Sequence, residues 1–125
     1  MKENVVKEKS MSFAVRIVNL CKYLNYEKQE FVIAKQILRS GTSIGANIAE
    51  GNYAISKKEF LAKNYIALKE CSETLYWLEL LHRTEYLDDN QFRSLRADGE
   101  EIYRLLQSIT KTVKTNLESK NQTEM

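Results

Sequence analysis

The side chains best equipped for chemistry in this chain are few. His82 is the single histidine, and Glu79 stands three residues before it. An E-x-x-H step on a helix puts a carboxylate and an imidazole on one face, and di-iron bundles combine two such steps with two further glutamates. One histidine cannot supply the second step. His82 therefore reads as a surface residue near a helix end, where a cationic imidazole meets the C-terminal dipole favourably. The two cysteines, Cys21 and Cys71, form neither a C-x-x-C pair nor a disulfide framework. Each lies among apolar residues at helical spacing, as reduced core thiols do, which suits a cytoplasmic chain. Ser43, Asn47, Asn64 and Glu73 fall close to apolar stripes. Buried polar groups need partners, so these four read as a polar core network that fixes helix register, with a ligand or catalytic site as the sharper alternative. Nucleophilic and metal-assisted catalysis both lack parts. The expectation is a protein that is not an enzyme and holds no cofactor or metal.

Binding chemistry is better supplied than catalysis. Lys35, Arg39, Lys57, Lys58 and Lys63 surround two central helical segments, and Arg93, Arg96, Arg104, Lys111 and Lys114 follow along the last. Either set could neutralise phosphates and release counterions, and either could be a solvated helix face. Net charge is +2, from 19 basic and 17 acidic side chains, too even for charge alone to mark a nucleic-acid protein. Gly41 and Gly45 form a G-x-x-x-G step, which lets a neighbouring backbone come close. That neighbour could lie in the same subunit or in another. No strand precedes the glycines, which argues against a phosphate-binding loop. Tyr76 and Trp77 adjoin in sequence, so at least one faces outward if Leu75 and Leu78 face the core. An outward aromatic on a bundle points to a subunit contact.

Four helical segments must position these residues. The first spans about Val5 to Lys22, with Val6, Phe13, Ile17, Leu20 and Leu24 at steps of three and four. Asn25 is the expected N-cap of the second, from about Tyr26 to Glu50. There Phe31, Ala34, Leu38, Gly41, Ile44, Gly45 and Ile48 lie along one side, and Gly51 is free to take the left-handed conformation that ends a helix. The third opens on a capping box of Ser56 and Glu59, with Ile55 and Phe60 placed as a hydrophobic staple. It carries Phe60, Asn64, Ala67, Cys71, Leu75, Leu78 and Leu81 and ends near Thr84. The fourth repeats that chemistry with Asp88, Gln91, Leu87 and Phe92. It continues through Leu95, Gly99, Ile102, Leu106, Ile109 and Val113, and from about Lys114 the polar chain is expected to fray.

Short links between long segments force neighbours to run antiparallel. The 125 residues contain no proline and four glycines, a composition that favours long helices over turn-rich β structure. The reading is one all-α domain over residues 1–125, an antiparallel up-down-up-down four-helix bundle with a frayed tail at about 114–125. The charged N-terminus has no apolar run behind it, so neither a signal peptide nor a membrane anchor is expected, and no stretch reaches the roughly 20 apolar residues that span a bilayer.

Three stretches together carry a family resemblance. Arg39-Ser-Gly-Thr-Ser-Ile-Gly-Ala-Asn-Ile-Ala-Glu-Gly51 resembles the signature of the four-helix-bundle proteins encoded in intervening sequences of bacterial 23S rRNA genes. Ile66-Ala-Leu-Lys-Glu-Cys-Ser-Glu-Thr-Leu-Tyr-Trp-Leu78 is similar to a subgroup of that family, and Ser56-Lys-Lys-Glu-Phe60 extends the match over most of the chain. The commoner family form has Gly-Ser where this chain has Lys69-Glu70, which marks a variant branch. The resemblance implies a bundle that assembles into a ring, with a pentamer favoured, and carries no catalytic residues. A related group serves as accessory subunits of retroelements that bind nucleic acid and a reverse transcriptase. The expectation drawn from resemblance and cations together is a homo-oligomeric bundle binding RNA or DNA, or a nucleic-acid enzyme. The alternative is a protein-interaction scaffold that ignores nucleic acid.

Overall fold

The structure is a computed structural model that describes the backbone of residues 2–124 and the side chains of residues 4–120. It has four helices: α1 (Lys2–Tyr26), α2 (Val32–Asn52), α3 (Lys57–Arg83) and α4 (Asp89–Glu124). α1 and α3 each pack against α2 and α4, and the diagonal pairs make no close backbone approach among the described residues, so the helices stand at the corners of a square. With links of about five residues or fewer, each helix reverses its predecessor.

The stripes converge inside this square. Val6, Phe13, Ile17, Leu24, Ile37, Ile44, Ile48, Leu78, Leu81, Ile102 and Leu106 are almost entirely removed from solvent. Each such side chain contributes about 1.5–3 kcal/mol by leaving water. Cys21 and Cys71 are free, buried thiols. Cys21 donates to the Ala34 carbonyl and Cys71 to that of Gly99, each at 3.3 Å.

All four glycines mark close approaches between helices, and none has a positive φ. A β-carbon on Gly41 would lie 2.9 Å from the Ile17 side chain, and one on Gly45 would lie 3.3 Å from Ser10 Oγ. The glycine step is thus filled by α1 of the same chain. A β-carbon on Gly99 would meet Leu75 Cδ2 at 2.8 Å. At Gly41 only hydrogen fits beside Ile17 without a shift, and at Gly45 Ser10 would have to give way slightly, which is the reason α2 accepts roughly 1 kcal/mol of lost propensity per glycine.

Several local details differ from the sequence reading. α1 runs on through Tyr26, and α2 begins at Val32. Its amides are capped by Glu30 and not by Asn25: Val32, Ile33 and Ala34 donate to the Glu30 carboxylate at 3.1, 3.0 and 2.8 Å. Phe31 (60% exposed) precedes α2, and Leu38 faces outward while Ile37 is fully buried, so the buried stripe runs through Ala34, Ile37, Gly41, Ile44 and Ile48. Gly51 does not end α2 in a left-handed turn. It stays helical and packs against Lys63 and Asn64. Ser56 caps α3 by accepting from the Glu59 amide at 3.1 Å, but the Glu59 side chain accepts from Ile55 and not from Ser56. Ile55 is 95% exposed, so the staple does not form there. The box at α4 is complete: Asp88 and Gln91 exchange hydrogen bonds of 3.0 and 2.7 Å, with Leu87 and Phe92 buried. α4 continues as helix past Lys114 to Glu124.

Candidate nucleic-acid and assembly surfaces

The signature stretch lies on α2, where it faces α1 on one side and α3 on the other. On the α3 side Arg39 donates to both Glu70 and Glu73. Trp77 Nε1 donates to the same Glu73 carboxylate at 2.9 Å. That bond first, with Arg39 behind it, holds the Glu73 carboxyl below its ordinary value. Tyr76 meets Trp77 edge to face at 5.0 Å and is 58% exposed. Glu70, at the variant Lys69-Glu70 position, therefore supplies one of the two α3 carboxylates that hold Arg39 of α2.

The four polar residues expected in the core separate. Asn64 is buried and donates to the Phe60 carbonyl at 2.8 Å. Ser43 and Asn47 are half-buried and donate to carbonyls one turn back on α2. Glu73 lies at the surface in the Arg39 cluster. Besides the two thiol bonds, the bond that crosses the interior joins the side chains of Ser40 and Thr74, both fully buried, at 2.9 Å. The spacing contained Thr74, since it continues the series 64, 67, 71, 78 and 81, but a threonine does not register in an apolar count. Burial pushes the Cys21 thiol up to about 11, with Glu30 adding to the effect, and the Cys71 thiol up to about 12. Both are protonated and unreactive at neutral pH.

The candidate cations divide into two groups. Arg39 is held by Glu70 and Glu73, Lys63 pairs with Glu50, and Arg96 and Arg104 pair with Glu100 on their own helix. Lys35, Lys57, Lys58, Arg93 and Lys111 are exposed and outside ion-pair distance of any carboxylate among the described residues, although Arg93 lies close enough to Asp89 to lower its pKa. These cations do not form one face. Lys35 opens α2 and Lys57 and Lys58 open α3, so antiparallel packing separates them by the roughly 30 Å length of α2.

His82 closes the opposite end of α3. It hydrogen bonds Asp89 at 2.7 Å and stacks on Phe92 with ring centres 4.1 Å apart. No group of three or more His, Cys, Asp or Glu side chains among the described residues could hold a metal ion. No helix there is long and apolar enough to cross a membrane. Between α1 and α2, Met11, Ala14, Gly45, Ala46 and Ala49 line a mostly apolar groove of about 330 Å³. Met11 and Val15 stand exposed beside it.

The apolar tip between α2 and α3 escaped the sequence reading. Tyr53 is 86% exposed and lies next in sequence to Ala54 and the exposed Ile55. Large apolar residues inside a link of four residues were the available signal, but the capping pattern at Ile55 pointed inward.

No curated protein matches the chain. A crystal structure of a protein of unknown function from the S23 ribosomal protein family of Bacteroides thetaiotaomicron is 61% identical, with a TM-score of 0.88. The match covers 89% of this chain and 99% of that one. The family model described as 23S rRNA-intervening sequence protein matches residues 2–108. The match takes in α1, α2, α3 and most of α4, including the glycine step and the Arg39 cluster, so the chain belongs to the 23S rRNA-intervening sequence protein family.

Proposed function

We propose that this protein is a non-enzymatic, cytoplasmic bundle that assembles into a homo-oligomeric ring, a pentamer by family resemblance, and binds nucleic acid, with RNA favoured. The observation that carries the reading is that Lys35, Lys57, Lys58 and Lys111 are exposed and without an ion-pair partner on a surface where many other cations are paired. An unpaired surface ammonium can exchange counterions for phosphates without first losing an internal partner. Assembly draws on apolar surface, with exposed Tyr76 beside half-buried Trp77 on α3 as one contact and the α1–α2 groove beside Met11 as another.

Binding of a labelled unstructured RNA and of a duplex DNA across a salt series tests this. Affinity that falls steeply with salt, and is lost on charge reversal at Lys57 and Lys58 with the fold intact, supports the reading. No binding at low salt overturns it. Light scattering tests assembly, and a stable monomer at micromolar concentration overturns the ring.

A protein-interaction scaffold is the second reading. It is favoured by Arg39, Lys63, Arg96 and Arg104, whose charges are already answered within the chain. A purified oligomer that ignores nucleic acid supports it.

A further inference from the structure

We infer that the end of the bundle at the α2–α3 link is a contact for single-stranded nucleic acid, with Tyr53 as the stacking platform and Lys57, Lys58, Lys111 and Lys114 as the phosphate contacts. This rests on the nucleic-acid reading above and assigns it a place and a strandedness.

The geometry begins with the link itself. Tyr53 is 86% exposed and Ile55 95%, on a tip where Glu59 is turned back onto the Ile55 amide. A tyrosine ring held this far out by a short link between two helices offers a face to an unpaired base. Stacking of that kind is tolerant of sequence and needs bases that are not already stacked in a duplex.

The cations arrive from two helices. Lys57 and Lys58 lie in the first turn of α3, within five residues of Tyr53. On α4, the antiparallel register that joins Cys71 to Gly99 and His82 to Asp89 brings Val113 and Lys114 level with Lys57. Lys111 sits one turn nearer the centre. All four lysines are exposed and free of ion-pair contact among the described residues, and Glu118, one turn beyond Lys114, does not reach it. The other end also exposes aromatics, Tyr26 and Phe31, with Lys35 and Arg93 outside ion-pair distance, but its cations lie among carboxylates. There His82 is answered by Asp89 and Arg83 by Glu79, and Lys28 shares a pocket with Glu85, Asp88 and Asp89. At the α2–α3 end an exposed aromatic ring meets four lysines that no carboxylate answers, which is the combination single-strand binders use.

The test uses the full chain and fluorescence anisotropy at low salt, with a labelled oligouridine dodecamer and a duplex RNA of the same length. The inference expects the single strand to bind more tightly. Tyr53→Ala weakens that binding about ten-fold or more while Tyr53→Phe retains it. Lys57→Gln and Lys58→Gln each lower the salt slope by about 0.7. Light scattering is expected to give Tyr53→Ala the oligomeric mass of the parent protein. If the parent binds the single strand and these variants bind equally well, the tip assignment fails and the nucleic-acid reading stands. Equal binding of duplex and single strand also overturns the assignment, as does a changed mass for Tyr53→Ala, which would make the tip a subunit contact. If the parent binds neither probe at low salt, the assignment and the nucleic-acid reading fall together.

Discussion

The two ends of the bundle differ in how tightly their links are tied down. At the end formed by the α1–α2 and α3–α4 links, the helix caps and the histidine are answered within the chain, although Lys35 and Arg93 stay outside ion-pair distance and Tyr26 and Phe31 are exposed. Glu30 accepts from three amides, Asp88 and Gln91 cap each other, and His82 is bonded to Asp89 and stacked on Phe92. Both links also hold a non-glycine residue at positive φ, Gln29 and Glu85, and the Tyr86 amide returns to the Leu81 carbonyl at 2.9 Å to close α3. At the other end a short link leaves Tyr53 and Ile55 in water, Lys57, Lys58, Lys111 and Lys114 lack ion-pair partners while Lys63 pairs with Glu50, and α4 runs on past the start of α3. A link whose groups satisfy one another contributes to stability. A link whose side chains stand in water is free to meet something else.

That contrast can be broken most directly at Glu30. Glu30→Ala leaves three amides at the start of α2 without an acceptor, one of them buried, and is expected to cost about 2 kcal/mol. Thermal unfolding would record this as a drop in Tm of about 10 °C, with Glu30→Gln losing less because its amide oxygen still accepts. A loss below about 0.5 kcal/mol would mean that solvent caps α2 as well as Glu30 does. Ser56→Ala, the corresponding cap at the open end, is expected to cost about 1 kcal/mol, measured by urea midpoint. Between the ends, Gly41→Ala should destabilise more than Gly99→Ala. The former forces a β-carbon onto branched, buried Ile17, whereas the latter meets only the far methyl of Leu75.

Smaller effects sharpen the comparison. The Glu73 carboxyl, held down by Trp77 and Arg39, contributes stability that is present above its ordinary value of 4.5 and is lost as pH falls through its lower folded value. Trp77 is the single tryptophan, so its emission reports the step directly. The midpoint should lie below 4.5 and rise in Arg39→Gln. Smallest of all, Tyr53→Ala and Ile55→Ser should shift stability by no more than about 0.5 kcal/mol. A larger loss would place these side chains inside a subunit contact.

The parts legible in the sequence share one property. Ser56 with Glu59 and Asp88 with Gln91 are contacts between residues three apart, and the α3 and α4 stripes repeat every three or four. Such signals depend on a helix and little else. The start of α2 was harder to place because it depends on Glu30, a glutamate that caps from outside the usual set of short side chains. Of the four polar residues expected in the core only Asn64 is buried there, while Ser40 and Thr74 make the interior bond, because a hydroxyl in an apolar stripe carries no contrast of its own.

The sequence by itself determined four helices, their antiparallel order and two of their caps, since each follows from interactions within one or two turns and from short links. Only the tertiary structure decided that Gly41 and Gly45 receive α1, that Arg39 is spoken for by Glu70 and Glu73 while Lys57 and Lys58 are not, and that Tyr53 stands clear of the core. Those outcomes depend on the register and rotation of one helix against the next. Register is set by the summed packing of every side chain along the contact, and no local stretch of sequence contains that sum.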